Sequence, residues 1–73
     1  MRIISQNGFM DFLYDSLILE IEGNCITARI GDISVIVAQY SSCLVAMKAL
    51  DKLHERYSRM DISVWQFPTE EEL

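Results

Sequence analysis

Two dipeptides, Gly23-Asn24 and Gly31-Asp32, constrain this chain more than any other feature of it. Each separates runs rich in β-branched residues, 17–22 from 25–30 and 25–30 from 33–40. Gly followed by Asn or Asp between such runs marks a tight two-residue hairpin, because the chain must enter positive φ there. With two residues in each turn, Glu22 lies opposite Cys25 and Ile30 opposite Ile33. The pairs Ile21–Ile26, Leu19–Ala28 and Leu17–Ile30 then share one face. Across the second turn, Ile30–Ile33, Ala28–Val35 and Ile26–Val37 fall on that same face. A slip of one residue would scatter it. The agreement of two independently placed turns predicts a three-stranded antiparallel meander with one apolar side.

Such a face needs a cover, and the next segment offers one. Tyr40-Ser41-Ser42 supplies a hydroxyl cap for a helix over about residues 43–58. At helical spacing Ala46, Ala49, Leu50, Leu53 and Tyr57 form one stripe, with Cys43, Met47 and His54 along its edge. Lys48, Asp51, Lys52, Glu55 and Arg56 occupy the other side. Before the meander, residues 2–6 read as a short strand stopped by the Asn7-Gly8 turn, and residues 9–16 as an irregular connector folded back onto the core. After the helix, Arg59-Met60-Asp61 turns the chain into a last strand over 62–67 that Pro68 stops. The predicted architecture is α+β: an antiparallel β-meander of 4–5 strands with one helix packed on one face, in the order β-β-β-β-α-β. Residues 1–67 form the single domain and 68–73 a solvated acidic tail.

Length and charge set the function classes. A 73-residue chain permits one domain, and a core of that size supplies only about 3–5 kcal/mol. One helix also leaves the second sheet face thinly covered. A homodimer or larger homo-oligomer is therefore expected. Six basic against eleven acidic residues, a net charge of −5, argue against direct nucleic-acid binding, which needs a basic surface to displace counterions. No apolar run approaches the roughly 18 residues of a membrane span, and no leader segment is evident, so a cytoplasmic protein without membrane contact is expected. Cys25 and Cys43 stand in no CxxC or metal spacing and read as two reduced thiols, with an intramolecular disulfide as the alternative.

Catalytic constellations are sparse. His54 is the sole histidine; its helical neighbours four residues away are Leu50 and Ser58, which give it no partner to orient it as a base. Gly8, Gly23 and Gly31 each belong to a turn rather than to a phosphate-cradling loop. A metal site would need His54, a thiol and two carboxylates to converge from distant segments. No enzyme activity, cofactor or metal is expected.

Apolar residues outside the predicted core are more informative. Leu44 falls between Asp51 and Glu55 on the far side of the helix, and Val45 on its flank near Arg56. Cys43-Leu44-Val45 thus fills a first turn where acidic residues would favour the helix dipole. On the outer face of the meander Ile18, Ile36 and Tyr40 stand among Glu20, Glu22, Thr27, Arg29 and Ser34. Cys43, Leu44, Val45, Ile18, Ile36 and Tyr40 are accordingly the candidate partner-binding or self-association residues. Trp65 and Phe67 alternate with Val64 and Gln66, making one strand face aromatic, either as core or as a stacking platform. Of the six cations, Lys48, Lys52, Arg56 and Arg59 lie on or just past the helix.

Met1-Arg2-Ile3-Ile4-Ser5-Gln6-Asn7-Gly8, then Ala38-Gln39-Tyr40-Ser41-Ser42 leading into Ala46-Met47-Lys48-Ala49-Leu50, and finally Gln66-Phe67-Pro68 before acids, resemble a small uncharacterised protein family of Firmicutes prophages and mobile elements. Its members open with Met-Arg-Ile-Ile-Ser-Gln-Asp-Gly, start a helix with Glu-Tyr-Ser-Ser-Glu-Glu-Lys-Ala and end in Phe-Gln-Phe-Pro followed by acids. The resemblance covers about half the chain and implies an origin, not an activity. Where those relatives carry Glu-Glu-Lys, this chain carries Cys43-Leu44-Val45, the residues already singled out as a surface.

Three functions of different kinds follow as expectations. The first is a non-enzymatic phage or mobile-element protein that binds and inhibits a host protein, with a defence nuclease as candidate target, in the manner of an anti-CRISPR inhibitor; its acidic face would compete for basic side chains in a nucleic-acid channel. The second is an oligomeric sponge sequestering a nucleotide immune signal, with Trp65 or Tyr40 stacking on a base and Arg29 or Arg2 meeting phosphate. The third is an accessory or structural phage protein.

Overall fold

A computed structural model describes residues 1–59 and 63–73 of the chain. The two Gly turns are formed as the sequence demands: Gly23 and Gly31 take φ of 61° and 59°, the left-handed region open to glycine. Around them β3 (Ile18–Glu22), β4 (Cys25–Ile30) and β5 (Ile33–Gln39) form an antiparallel meander. The expected pairs Glu22–Cys25, Ile21–Ile26 and Leu19–Ala28 are present, as are Ala28–Val35 and Ile30–Ile33.

The register departs from expectation at one point. Ile26 pairs with Ala38 rather than Val37, because the register shifts between Ile26 and Thr27. Val37 becomes the extra residue of a bulge, and both it and Ala38 are buried.

A helix, α1 (Cys43–Arg59), covers the apolar side of the meander and contacts β3 and β4. The Ser42 hydroxyl accepts from the Val45 N–H at 3.3 Å and the Ser42 carbonyl from the Ala46 N–H at 3.1 Å, so Ser42 caps the helix as expected. Ala46, Ala49 and Leu53 are fully buried. Leu50 is half-buried, while Tyr57, at the C-terminal end of the stripe, is largely exposed and packs its ring against Tyr14 at a centroid distance of 4.7 Å.

The fold is α+β with six strands among the described residues, and the remaining three form a second sheet instead of extending the meander. β1 (Arg2–Ile4) lies between β2 (Asp11–Leu13), antiparallel to it, and β6 (Val64–Gln66), parallel to it. The expected single sheet of 4–5 strands is corrected on two counts. Residues 9–16, expected to be irregular, hold β2 and a 3₁₀ turn over Tyr14–Ser16; three residues are too few to carry a period-two signal. Phe9, expected to fold back, is almost fully exposed. The last strand pairs with β1, which no local pattern encodes. Of that expected strand Ile62, and of the expected turn Met60 and Asp61, lie outside the described residues.

Ile3, Phe12 and Trp65 occupy one row across the second sheet, and Ile3 and Phe67 join Ile26, Val37, Ala46 and Leu53 in one core. The C-terminal segment is docked, although Thr69 and its three glutamates stay exposed as expected of an acidic tail. Glu70 accepts from the Ser41 N–H at 2.8 Å and from the Ser41 hydroxyl at 2.6 Å. Thr69 and Glu72 form a capping box around the 3₁₀ turn Glu70–Glu72, and Leu73 packs against the core.

Candidate functional site

The six candidate surface residues do not come together. Ile18 and Ile36 are exposed on the outer face of the meander, at 51% and 57%. Cys43 and Leu44 lie on α1, across the core from them; Leu44 is 77% exposed. Val45, expected not to reach the core, is half-buried against it. The docked C-terminal segment adds a wall beside the start of α1 that a simple sheet-plus-helix picture lacks. Tyr40, expected on the outer face, is buried at 4% exposure. Its hydroxyl donates to the Pro68 carbonyl at 2.8 Å. Burial, reinforced by the nearby Glu70 and Glu72 carboxylates, pushes the phenol up to about 12. Cys25 is half-buried and Cys43 exposed, and both thiols are free.

The set expected for a nucleotide is also dispersed. The Arg2 guanidinium engages both carboxylate oxygens of Asp11 on the outer face of the second sheet, at 2.9–3.1 Å. Arg29 donates to Glu20 at 2.9 Å on the outer face of the meander. Neither arginine lines a cavity with Trp65, and the Tyr40 hydroxyl is taken by the Pro68 carbonyl.

What Trp65 does adjoin is a groove of about 430 Å³ between the second half of α1 and β6. Lys52, Arg56 and Arg59 recur along one helix face at i, i+4 and i+7 and line it together with Trp65, Gln66 and Pro68. Glu55 and Glu72 also line it, but both are engaged: Arg59 donates to Glu55 at 2.6 Å, and Glu72 accepts from the Thr69 N–H at 2.8 Å and the Thr69 hydroxyl at 3.1 Å. Lys52 Nζ donates to the Leu73 carbonyl at 3.4 Å. Trp65 meets Phe67 edge-to-face at 6.0 Å, and its indole N–H is buried with no acceptor among the described residues.

Three basic side chains above an aromatic wall can hold an anion carrying a flat ring. The basic spacing was open to sequence reasoning. Its junction with Trp65 was not, because it depends on β6 pairing with β1. Among the described residues no group of three or more His, Cys, Asp or Glu is placed to hold a metal ion, and no helix is long and apolar enough to cross a membrane. No protein-family model, curated protein or solved structure matches the chain.

Proposed function

We propose that the chain is a non-enzymatic binding protein of a phage or mobile element that inhibits a host protein, a defence nuclease being the candidate target, and that it acts as a homo-oligomer in the host cytoplasm. The observation that carries this reading is the uncovered outer face of the meander. Ile18 and Ile36 are more than half exposed there, beside a hairpin end where Ile30 and Ile33 are also exposed, at 42% and 68%. So much β-branched apolar surface on a chain of this size fits a protein interface. Glu22, exposed on the same face, adds acidic character that suits a basic partner.

The test is to express the tagged chain in a bacterial host, identify the protein that co-purifies, and titrate that protein's activity with the purified chain. Stoichiometric inhibition that Ile36→Asp abolishes, with the fold intact, supports the reading. Inhibition unchanged by Ile36→Asp and Ile18→Asp, or a partner whose activity is untouched, overturns it and favours an accessory role. A second reading, sequestration of a nucleotide signal, is favoured by the basic groove beside Trp65.

A further inference from the structure

We infer that the groove between α1 and β6 is a binding site for a nucleoside phosphate of mononucleotide size, its base set against Trp65 and its phosphate against Lys52, Arg56 and Arg59. This inference rests on the sequestration reading above and gives it a site within one copy of the chain.

Charge distribution is the first argument. The chain carries −5 overall, yet three of its six cations line a single concavity. Arg2 and Arg29 are held by Asp11 and Glu20 on the outer sheet faces, Arg59 is likewise paired with Glu55 but inside the groove, and Lys48 is not part of the groove lining. A concave wall with clustered cations focuses field on an incoming anion more strongly than the same charges spread over a convex surface. The i, i+4, i+7 spacing stacks them along about 10 Å of helix, a length a phosphate and its neighbouring ribose can follow. The Arg56 guanidinium presents a planar donor fork suited to phosphate oxygens.

The opposite wall selects the ring. Trp65 offers an aromatic surface, and base–aromatic stacking tolerates any base because every base has a π-face. The two carboxylates in the groove disfavour a bare polyanion but can accept from ribose hydroxyls. At about 430 Å³ the groove lies within the range of small-ligand sites, about 300–1,000 Å³. A long nucleic-acid strand would run beyond it onto acidic surface, which opposes binding.

Trp65 is the only tryptophan, so its fluorescence reports occupancy directly. Titration with AMP, adenosine and inorganic phosphate should give saturable quenching with AMP and binding about tenfold or more weaker with either half alone. Lys52→Ala and Arg56→Ala should each weaken AMP by about tenfold, the loss of a charge-assisted contact. Lys48→Ala, which removes the same charge outside the groove, should leave it unchanged. Saturable AMP binding that Lys52→Ala and Arg56→Ala do not affect would overturn the groove while leaving sequestration standing. Absence of binding by AMP, GMP, CMP and UMP, in fluorescence and in equilibrium dialysis alike, would overturn both. Binding of a single-stranded oligonucleotide but no mononucleotide would overturn the assignment of ligand size.

Discussion

The Gln6 backbone N–H donates to the Val37 carbonyl at 2.7 Å, and Val37 is the residue that the β5 bulge leaves without a partner on β4. The bulge thus turns a carbonyl of the meander toward the chain leaving β1. The Gln6 side chain completes the junction: its Oε1 accepts from the Gln39 N–H at 3.1 Å and its Nε2 donates to the Pro68 carbonyl at 3.0 Å. One half-buried amide therefore joins both sheets and the C-terminal segment.

Gln6→Ala leaves the Gln39 N–H and the Pro68 carbonyl without that side chain. It should destabilise the fold by about 1–3 kcal/mol, the range for removing one partner of semi-buried hydrogen bonds. Urea unfolding measures this directly; a loss below about 0.5 kcal/mol, the ordinary surface value, would show that the junction is held by packing alone.

Tyr40 gives an alkaline prediction with a definite sign. Its phenol is held neutral more firmly in the fold, at about 12, than at its ordinary value of 10. Raised in this way, it contributes stability that is fully present below pH 10 and is lost as pH climbs toward 12. Tyr40→Phe should lower stability at pH 7 by about 1 kcal/mol through loss of the bond to Pro68, and the variant should lose less on going from pH 9 to pH 11.5 than the wild type does. Equal alkaline losses in the two proteins would mean that another group governs that limb.

Glu70 predicts the acid counterpart. The Ser41 hydroxyl and N–H hold its carboxyl below the usual carboxylate value, as the Thr69 N–H and hydroxyl do for Glu72. A lowered value means that the docked C-terminal turn is favoured fully above about pH 4.5 and released as the pH falls through the lowered value. The Ser41 amide resonance should titrate in that acid window, and Glu70→Gln should abolish the titration. A Ser41 resonance indifferent to acid in the wild type would show the contact absent in solution.

These relationships separate what could be read in the sequence from what could not. The meander and α1 were legible because each is local: a glycine turn fixes a register, and Ala46, Ala49 and Leu53 repeat at helical spacing. The parallel pairing of Ile3 with Trp65 was not, since it joins the two ends of the chain and leaves no periodic trace. The bulge at Val37 escaped for a related reason, because Ile36-Val37-Ala38 is apolar throughout and alternation cannot show which residue is extra. Both gaps bear on the site. Trp65 reaches the basic face of α1 only through that pairing, and the extra residue at Val37 shifts Tyr40 onto the face shared with Ala38 and Ile26, where the Pro68 carbonyl meets its hydroxyl.

The close approach of α1 to the meander rests on small side chains, and this yields the most direct packing prediction. Ala46 and Ala49 on the helix are fully buried, as are Ala28 on β4 and Ala38 on β5 to within 2%. With no side chain beyond Cβ at these positions, the helix backbone can settle near the sheet, and Leu53 fills the space further along. Ala49→Leu inserts three carbons into a seam packed without room for them and should destabilise by about 1–3 kcal/mol, although leucine is nearly as good a helix former as alanine. Leu53→Ala should cost more, about 2–5 kcal/mol, because it leaves a cavity in a rigid surround. Lys48→Leu, one position from Ala49 but exposed, should stay within about 0.5 kcal/mol of the wild type. If Ala49→Leu proved as mild as Lys48→Leu, the helix would have to sit further from β4 than these buried alanines require.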